Sequence, residues 1–227
     1  MLDRISRVKD KIDSALKQCS RSDTVTIVAA TKTRNPKTIE MSIRNGIVDI
    51  GENRVQEAGK KFSAVEPGLV YTKRMIGHLQ TNKINKAIRI FDTIDSVDTL
   101  HLAKKLANRL KQNTESLSVL LEINTGGDKT KFGFDPDNDQ DLLECLTLDE
   151  IVVEGLMTIG PVSQEKESTR EAFSLLRKIK ESINKQVGRE KKLTVLSMGM
   201  SNDFELGIFQ GSTMVRLGTV LFGPREG

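Results

Sequence analysis

The chain has 227 residues, 37% hydrophobic and 29% charged, enough for one large α/β barrel or two small domains. No apolar run approaches the ~20 residues that span a bilayer, the opening MLDRISRVKDKID has no signal-peptide core, and Cys19 and Cys145 make no disulfide framework, so the expected compartment is the cytoplasm. The formal net charge of +4 comes from lysines and arginines scattered among acids, which excludes the basic stripe that a nucleic-acid binder needs.

The first element is a helix. Leu2, Ile5, Val8, Ile12, Ala15, Leu16 and Cys19 recur at steps of three and four, one apolar face over 2–19. Strand patterns follow at 25–30, 47–50, 69–76, 91–94, 117–123, 151–158, 193–197 and 213–217. Helix patterns alternate with them at 36–45, 53–62, 81–89, 96–111, 136–147, 164–187 and 201–209. The runs IVAA, SVLLEIN and IVVEGLMTI are almost continuously apolar, as parallel strands covered on both faces are. Strand–helix alternation without a break in composition predicts one α/β domain over 1–227, a (β/α)8 barrel with an extra N-terminal helix rather than a doubly wound sheet.

In such barrels chemistry gathers at the C-terminal ends of the strands. The stretch VTIVAATKTRNP places Lys32 two residues past the first strand, at the barrel mouth. After the second strand, GENRVQE puts Gly51 at a turn and Glu52 and Asn53 at a helix start. The seventh and eighth strands end in SMGMSND and VRLGT. These bring hydroxyls (Ser197, Ser201, Thr219) and small residues (Gly199, Gly218) before helix N-termini, where unpaired backbone N–H groups suit a phosphate. Ser201 has a second reading as a plain helix cap, and Asp203 opposes a dianion. A lysine facing a phosphate cradle fits two ligands, a phosphosugar in an aldolase or pyridoxal 5′-phosphate (PLP), since lysine amines form Schiff bases. Arg216, at the end of the last strand, tilts the choice toward a pyridine ring nitrogen.

The blocks VAATKT, IGENRVQE, IGHLQTNK, LEINTGGDKTKFG, VEGLMTIG and LSMGMSNDFELGIFQGSTMVRLGTVLFG carry a resemblance over nearly the whole chain. The sequence resembles the pyridoxal phosphate homeostasis protein family, related in fold to the N-terminal barrel of alanine racemase. The resemblance implies a fold-type III PLP barrel in which Lys32 holds the cofactor as a Schiff base. It assigns the phosphate to Ser197, Ser201 and the amides around Gly218 and Thr219, sets Arg216 against the pyridine nitrogen and places Asn53 near the cofactor. It implies no metal and no catalytic residue. At 73–77 the family's usual aromatic-His-Phe-Ile-Gly reads KRMIG, so Arg74 stands where a histidine is usual.

A carrier is expected rather than an efficient catalyst. PLP enzymes commonly set a carboxylate against the pyridinium nitrogen to keep the ring a strong electron sink. A guanidinium cannot accept that proton. Racemases of this fold also use a tyrosine from a second domain as the opposing base, whereas the one tyrosine here, Tyr71, lies near the start of the third strand, at the wrong end of the barrel. Of the two histidines, His78 lies near the mouth and His101 within a helix pattern; Lys83 starts a helix. The expected role is intracellular PLP homeostasis and amino-acid balance, in a monomer that passes PLP to PLP-dependent apoenzymes, with no nucleic-acid or membrane partner. The alternative is an amino-acid racemase or lyase.

Overall fold

The computed structural model describes residues 1–112, 116–128, 130–161, 163 and 165–224. Gln164, where a helix is predicted to begin, Lys129 in the 124–135 loop and the last three residues lie outside these. Eight parallel strands close a barrel in chain order. They are β1 (Thr26–Ala30), β2 (Asp49–Glu52), β3 (Thr72–Met75), β4 (Thr93–Val97), β5 (Leu117–Glu122), β6 (Ile151–Met157), β7 (Val195–Ser197) and β8 (Met214–Leu217). The ring closes where β1 pairs with β8, Val28 opposite Arg216.

The helices are α1 (Leu2–Gln18), α2 (Pro36–Arg44), α3 (Val55–Phe62), α4 (Ile84–Ala87), α5 (Leu100–Lys111), α6 (Asp139–Cys145), α7 (Lys166–Gln186), α8 (Phe204–Phe209) and α9 (Thr219–Phe222). Their starts follow local chemistry. Asn35 caps α2 by accepting from the Thr38 amide, with Pro36 in the first turn, and Thr99 caps α5 by accepting from the Leu102 amide. The added helix α1 buries Ile5, Val8, Ile12, Ala15 and Leu16 in one cluster with Phe204, Ile208 and Leu221. Each fully buried aliphatic side chain there contributes about 1.5–3 kcal/mol.

Element boundaries differ from the sequence reading in several places. The strand β4 runs on to Val97, so its helix starts at Leu100 rather than 96. The predicted helix at 81–89 is a 3₁₀ turn, Thr81–Lys83, leading into the short α4. Gly51 is not at a turn, and Glu52 does not start a helix; both belong to β2. A Cβ on Gly51 would lie 2.7 Å from Ile76 Cδ1 and 2.9 Å from Val28 Cγ1, so glycine here makes room for side chains inside the barrel.

Inward-facing residues alternate by two along each strand and sort into layers. Low in the barrel, Arg74 pairs with Asp49 and Asp95. Above it Val28, Ile76, Leu120, Met157 and Met214 form an apolar plug. Two residues further along the chain from these come Ala30, His78, Glu122, Ile159 and Arg216, of which Ala30, Ile159 and Arg216 line the cavity at the mouth.

Candidate functional site

A cavity of about 370 Å³ opens at the C-terminal ends of β1, β6, β7 and β8. It brings together Lys32, Ser201, Arg216, Gly218 and Thr219 from loops far apart in sequence. The apolar part of the wall comes from Ala30, Ile159, Pro161 and Met200, and Lys131 adds a second ammonium. Lys131 belongs to the 124–135 loop and donates to the Gly160 carbonyl at 2.8 Å, which ties that loop to the cavity rim.

Arg216 is 5% exposed. Its Nη1 donates to the Ser197 carbonyl at 2.8 Å and to Ser197 Oγ at 2.7 Å; its Nη2 donates to the Thr158 carbonyl at 2.7 Å. Three of five donors are thus spent on neutral oxygens in these bonds. Burial lowers the Arg216 pKa, against the pull of Glu122, Asp95 and Asp203. Glu122 closes the opposite strand end. Burial pushes its carboxyl up to about 7, while Arg216 draws it down.

Ser201 Oγ accepts from the amides of Gly218 at 3.2 Å and Val220 at 3.3 Å, stitching the loop after β7 to the loop after β8. Its alternative reading as a helix cap does not hold, because α8 begins at Phe204 with Asp203 at its N-cap. Asp203 Oδ1 instead accepts from the Met200 amide at 2.5 Å, and burial raises its pKa.

Two candidates stand off the cavity wall. Ser197 is wholly buried behind Arg216. Asn53 lines a separate cavity of about 400 Å³ with His78, Gln80 and Lys83. The Asn53 Oδ1 is buried and accepts no hydrogen bond among the described residues. His78 is fixed by Asp98, whose Oδ2 lies 2.6 Å from Nδ1, and its ring stacks on Phe132 at 3.6 Å between centroids. His101 is exposed on α5, and Tyr71 packs against Phe62 at the N-terminal end of β3, away from the mouth. Arg74, the departure from the usual histidine, belongs to the lower ion-pair layer and does not line the cavity.

Sequence reasoning missed Glu122, Lys131 and Thr158. The signal for Glu122 was present, a lone carboxylate ending the apolar run SVLLEIN. Lys131 and Thr158 gave no such signal, since their contacts depend on loop geometry. Among the described residues no group of His, Cys, Asp or Glu is placed to hold a metal ion, and no helix is long and apolar enough to cross a membrane.

Residues 6–226 match the family described as alanine racemase, N-terminal domain. The pyridoxal phosphate homeostasis protein of Aquifex aeolicus is 38% identical over 226 residues, covering 99% of this chain and 98% of that protein. The protein of the same description from Escherichia coli is 32% identical over 228 residues, 98% and 95% of the two chains. Among solved structures, PipY of Synechococcus elongatus with PLP bound superposes at a TM-score of 0.86 and 30% identity, over 98% of this chain and 99% of its own. The alanine racemase of Clostridium difficile shares the fold, with a TM-score of 0.76 at 18% identity over 96% of this chain and 61% of the racemase.

Proposed function

The chain belongs to the pyridoxal phosphate homeostasis protein family, and from that premise we propose that it holds PLP in the cavity at the barrel mouth as a Schiff base on Lys32. The observation that carries the reading is convergence: the Lys32 amine, the Arg216 guanidinium and the Ser201–Gly218 cluster meet on a single cavity with an apolar wall, while the second amine there, Lys131, is engaged by the Gly160 carbonyl. That donor set fits an aromatic phosphate, and about 370 Å³ lies within the size range of small-molecule sites. Ser201 and the amides around Gly218 and Thr219 take the phosphate. Arg216 faces the pyridine nitrogen, with Ser197 behind it as a support. The family resemblance implies that Asn53, in the loop after β2, lies near the cofactor.

Bound PLP would supply an aldehyde able to form a reversible Schiff base with the Lys32 amine, with release of water. The protein acts as a carrier rather than an efficient catalyst. Arg216 cannot keep a pyridine nitrogen protonated as a carboxylate can, and the curated relatives are named for homeostasis. The reading extends to a monomeric, single-domain cytoplasmic protein that yields PLP to amines or to PLP-dependent apoenzymes. Purified protein loaded with PLP should be yellow, and borohydride should fix a pyridoxyl group on Lys32, seen by peptide mass spectrometry. Lys32→Ala should lose both signals. A variant that keeps the visible band would overturn the assignment.

A further inference from the structure

A second lysine lies one helix away from the first. Lys61, in the last turn of α3, has a side chain only 7% exposed. An ammonium has three N–H donors, and the structure shows three acceptors. They are Glu52 Oε1 at 2.6 Å, the Thr31 carbonyl at 2.9 Å and Glu57 Oε1 at 3.0 Å. The same two carboxylates hold the residues on either side of Lys32. Glu52 Oε1 accepts from the Thr31 hydroxyl at 2.5 Å, and Glu57 Oε1 accepts from the Thr33 amide at 2.9 Å.

The arrangement follows from the sequence. Glu57 and Lys61 are one helical turn apart and share a face. Glu52 ends β2, beside the C-terminal end of β1. Thr33 has a φ of +65°, a left-handed conformation that a β-branched residue adopts only where its surroundings impose it. The Glu57 bond to its amide is one such constraint. Burial raises the Glu52 pKa, with Lys61 and Thr31 acting against it. Burial likewise pushes Glu57 up, but the Thr33 amide and Lys61 outweigh it and hold Glu57 below its ordinary value.

We propose that Lys61, Glu52 and Glu57 are positioning residues that aim Lys32. By fixing the backbone on both sides of position 32, they set where its amine meets an aldehyde seated in the cavity. Lys61 does not itself serve as the amine, because its three donors are committed. The proposal rests on the assignment of Lys32 as the PLP-bearing residue.

The test separates covalent capture from simple binding. Glu57→Ala removes the Thr33 acceptor at a half-buried position, and the double variant Lys61→Met/Glu52→Gln removes the buried pair without stranding a charge. Each is compared with the parent in three measurements. These are the rate of borohydride trapping at Lys32 by mass spectrometry, the affinity for pyridoxine 5′-phosphate, which has no aldehyde, and the thermal midpoint. Trapping in Glu57→Ala should fall by about tenfold to a hundredfold, as displaced reacting groups do, while pyridoxine phosphate binding stays at the parental level. Glu57→Gln retains an acceptor oxygen and should restore most of the trapping. Parental trapping in Glu57→Ala, or equal losses for both ligands, would overturn the proposal. If the double variant does not fold, Glu57→Ala and Glu57→Gln alone decide it. Absence of trapping at Lys32 in the parent would instead remove the underlying assignment, a separate result.

Discussion

Among the described residues two arginines are buried, and their surroundings differ. Arg74, below the apolar plug, donates to Asp49 at 2.6 Å and to Asp95 at 3.2 Å. Arg216, above the plug, donates to Ser197 and Thr158 oxygens that carry no charge. Burial acts to lower both pKa values. For Arg74 the two carboxylates reverse that effect and the net direction is upward; for Arg216 the direction stays downward. A guanidinium neutralised by two carboxylates holds strands together. One cradled by neutral oxygens at the edge of a cavity keeps its charge and spare donors for what enters. The same residue type therefore reads as structure on one side of Val28 and Ile76 and as recognition on the other.

The largest expected effect comes from breaking the lower pair. Arg74→Met strands Asp95, which is fully buried, and should cost about 3–5 kcal/mol in urea unfolding at neutral pH. The loss should shrink on acidification, because Asp95, already raised by burial, then takes up a proton. The matching change Arg216→Met leaves carbonyl and hydroxyl acceptors unpaired and removes the cation that draws Glu122 down. Because Glu122 already takes up a proton near pH 7, the change should cost less, about 1–3 kcal/mol, while abolishing retention of PLP. Equal stability losses in the two variants would break the contrast.

Glu122 sharpens it from the other side. Its folded pKa, about 7, stands above the ordinary value of 4.5, so the native state binds more protons between those pH values. Stability from this group is present below pH 4.5 and drains away as pH rises toward 7. Relative to Glu122→Gln, the parent should lose about 3 kcal/mol across that window, read as diverging urea midpoints at pH 4.5 and pH 8. Parallel midpoints would mean that Arg216 already neutralises Glu122, and the upper arginine would then resemble the lower one.

The upper site was largely legible in sequence and the lower one was not. Lys32, Ser201 and Gly218 follow strands and Arg216 lies in the last one, and the shared direction of a parallel barrel brings them to one cavity. Arg74 sits inside the run KRMIG, and its partners Asp49 and Asp95 lie 25 and 21 residues away on neighbouring strands. No local pattern marks that triad. Gly51 misled because glycine signals turns more often than strand interiors, and here the crowding of Ile76 and Val28 calls for it. The helix after VRLGT was expected only as an N-terminus without bounds, because the four residues of α9 are too few to display a helical period. The Lys61 network is hidden for the same reason as Arg74: two of its three acceptors lie outside the helix that carries the lysine.

The smallest expected effect tests the neutral cradle itself. Ser197→Ala removes one hydroxyl acceptor from Arg216 and leaves the Ser197 carbonyl bond in place. A hydrogen bond to a charged group is worth about 1.5–3 kcal/mol, and the surviving bond to the same Nη1 keeps the expected loss near the lower end. If Ser197 acts only through the arginine, pyridoxine phosphate binding should weaken modestly and to the same extent for an analogue that lacks the phosphate. If Ser197 instead reaches the phosphate, the analogue should bind the variant and the parent alike. A double cycle with Arg216→Met separates the two, because a serine that acts through Arg216 adds no further loss once the guanidinium is gone.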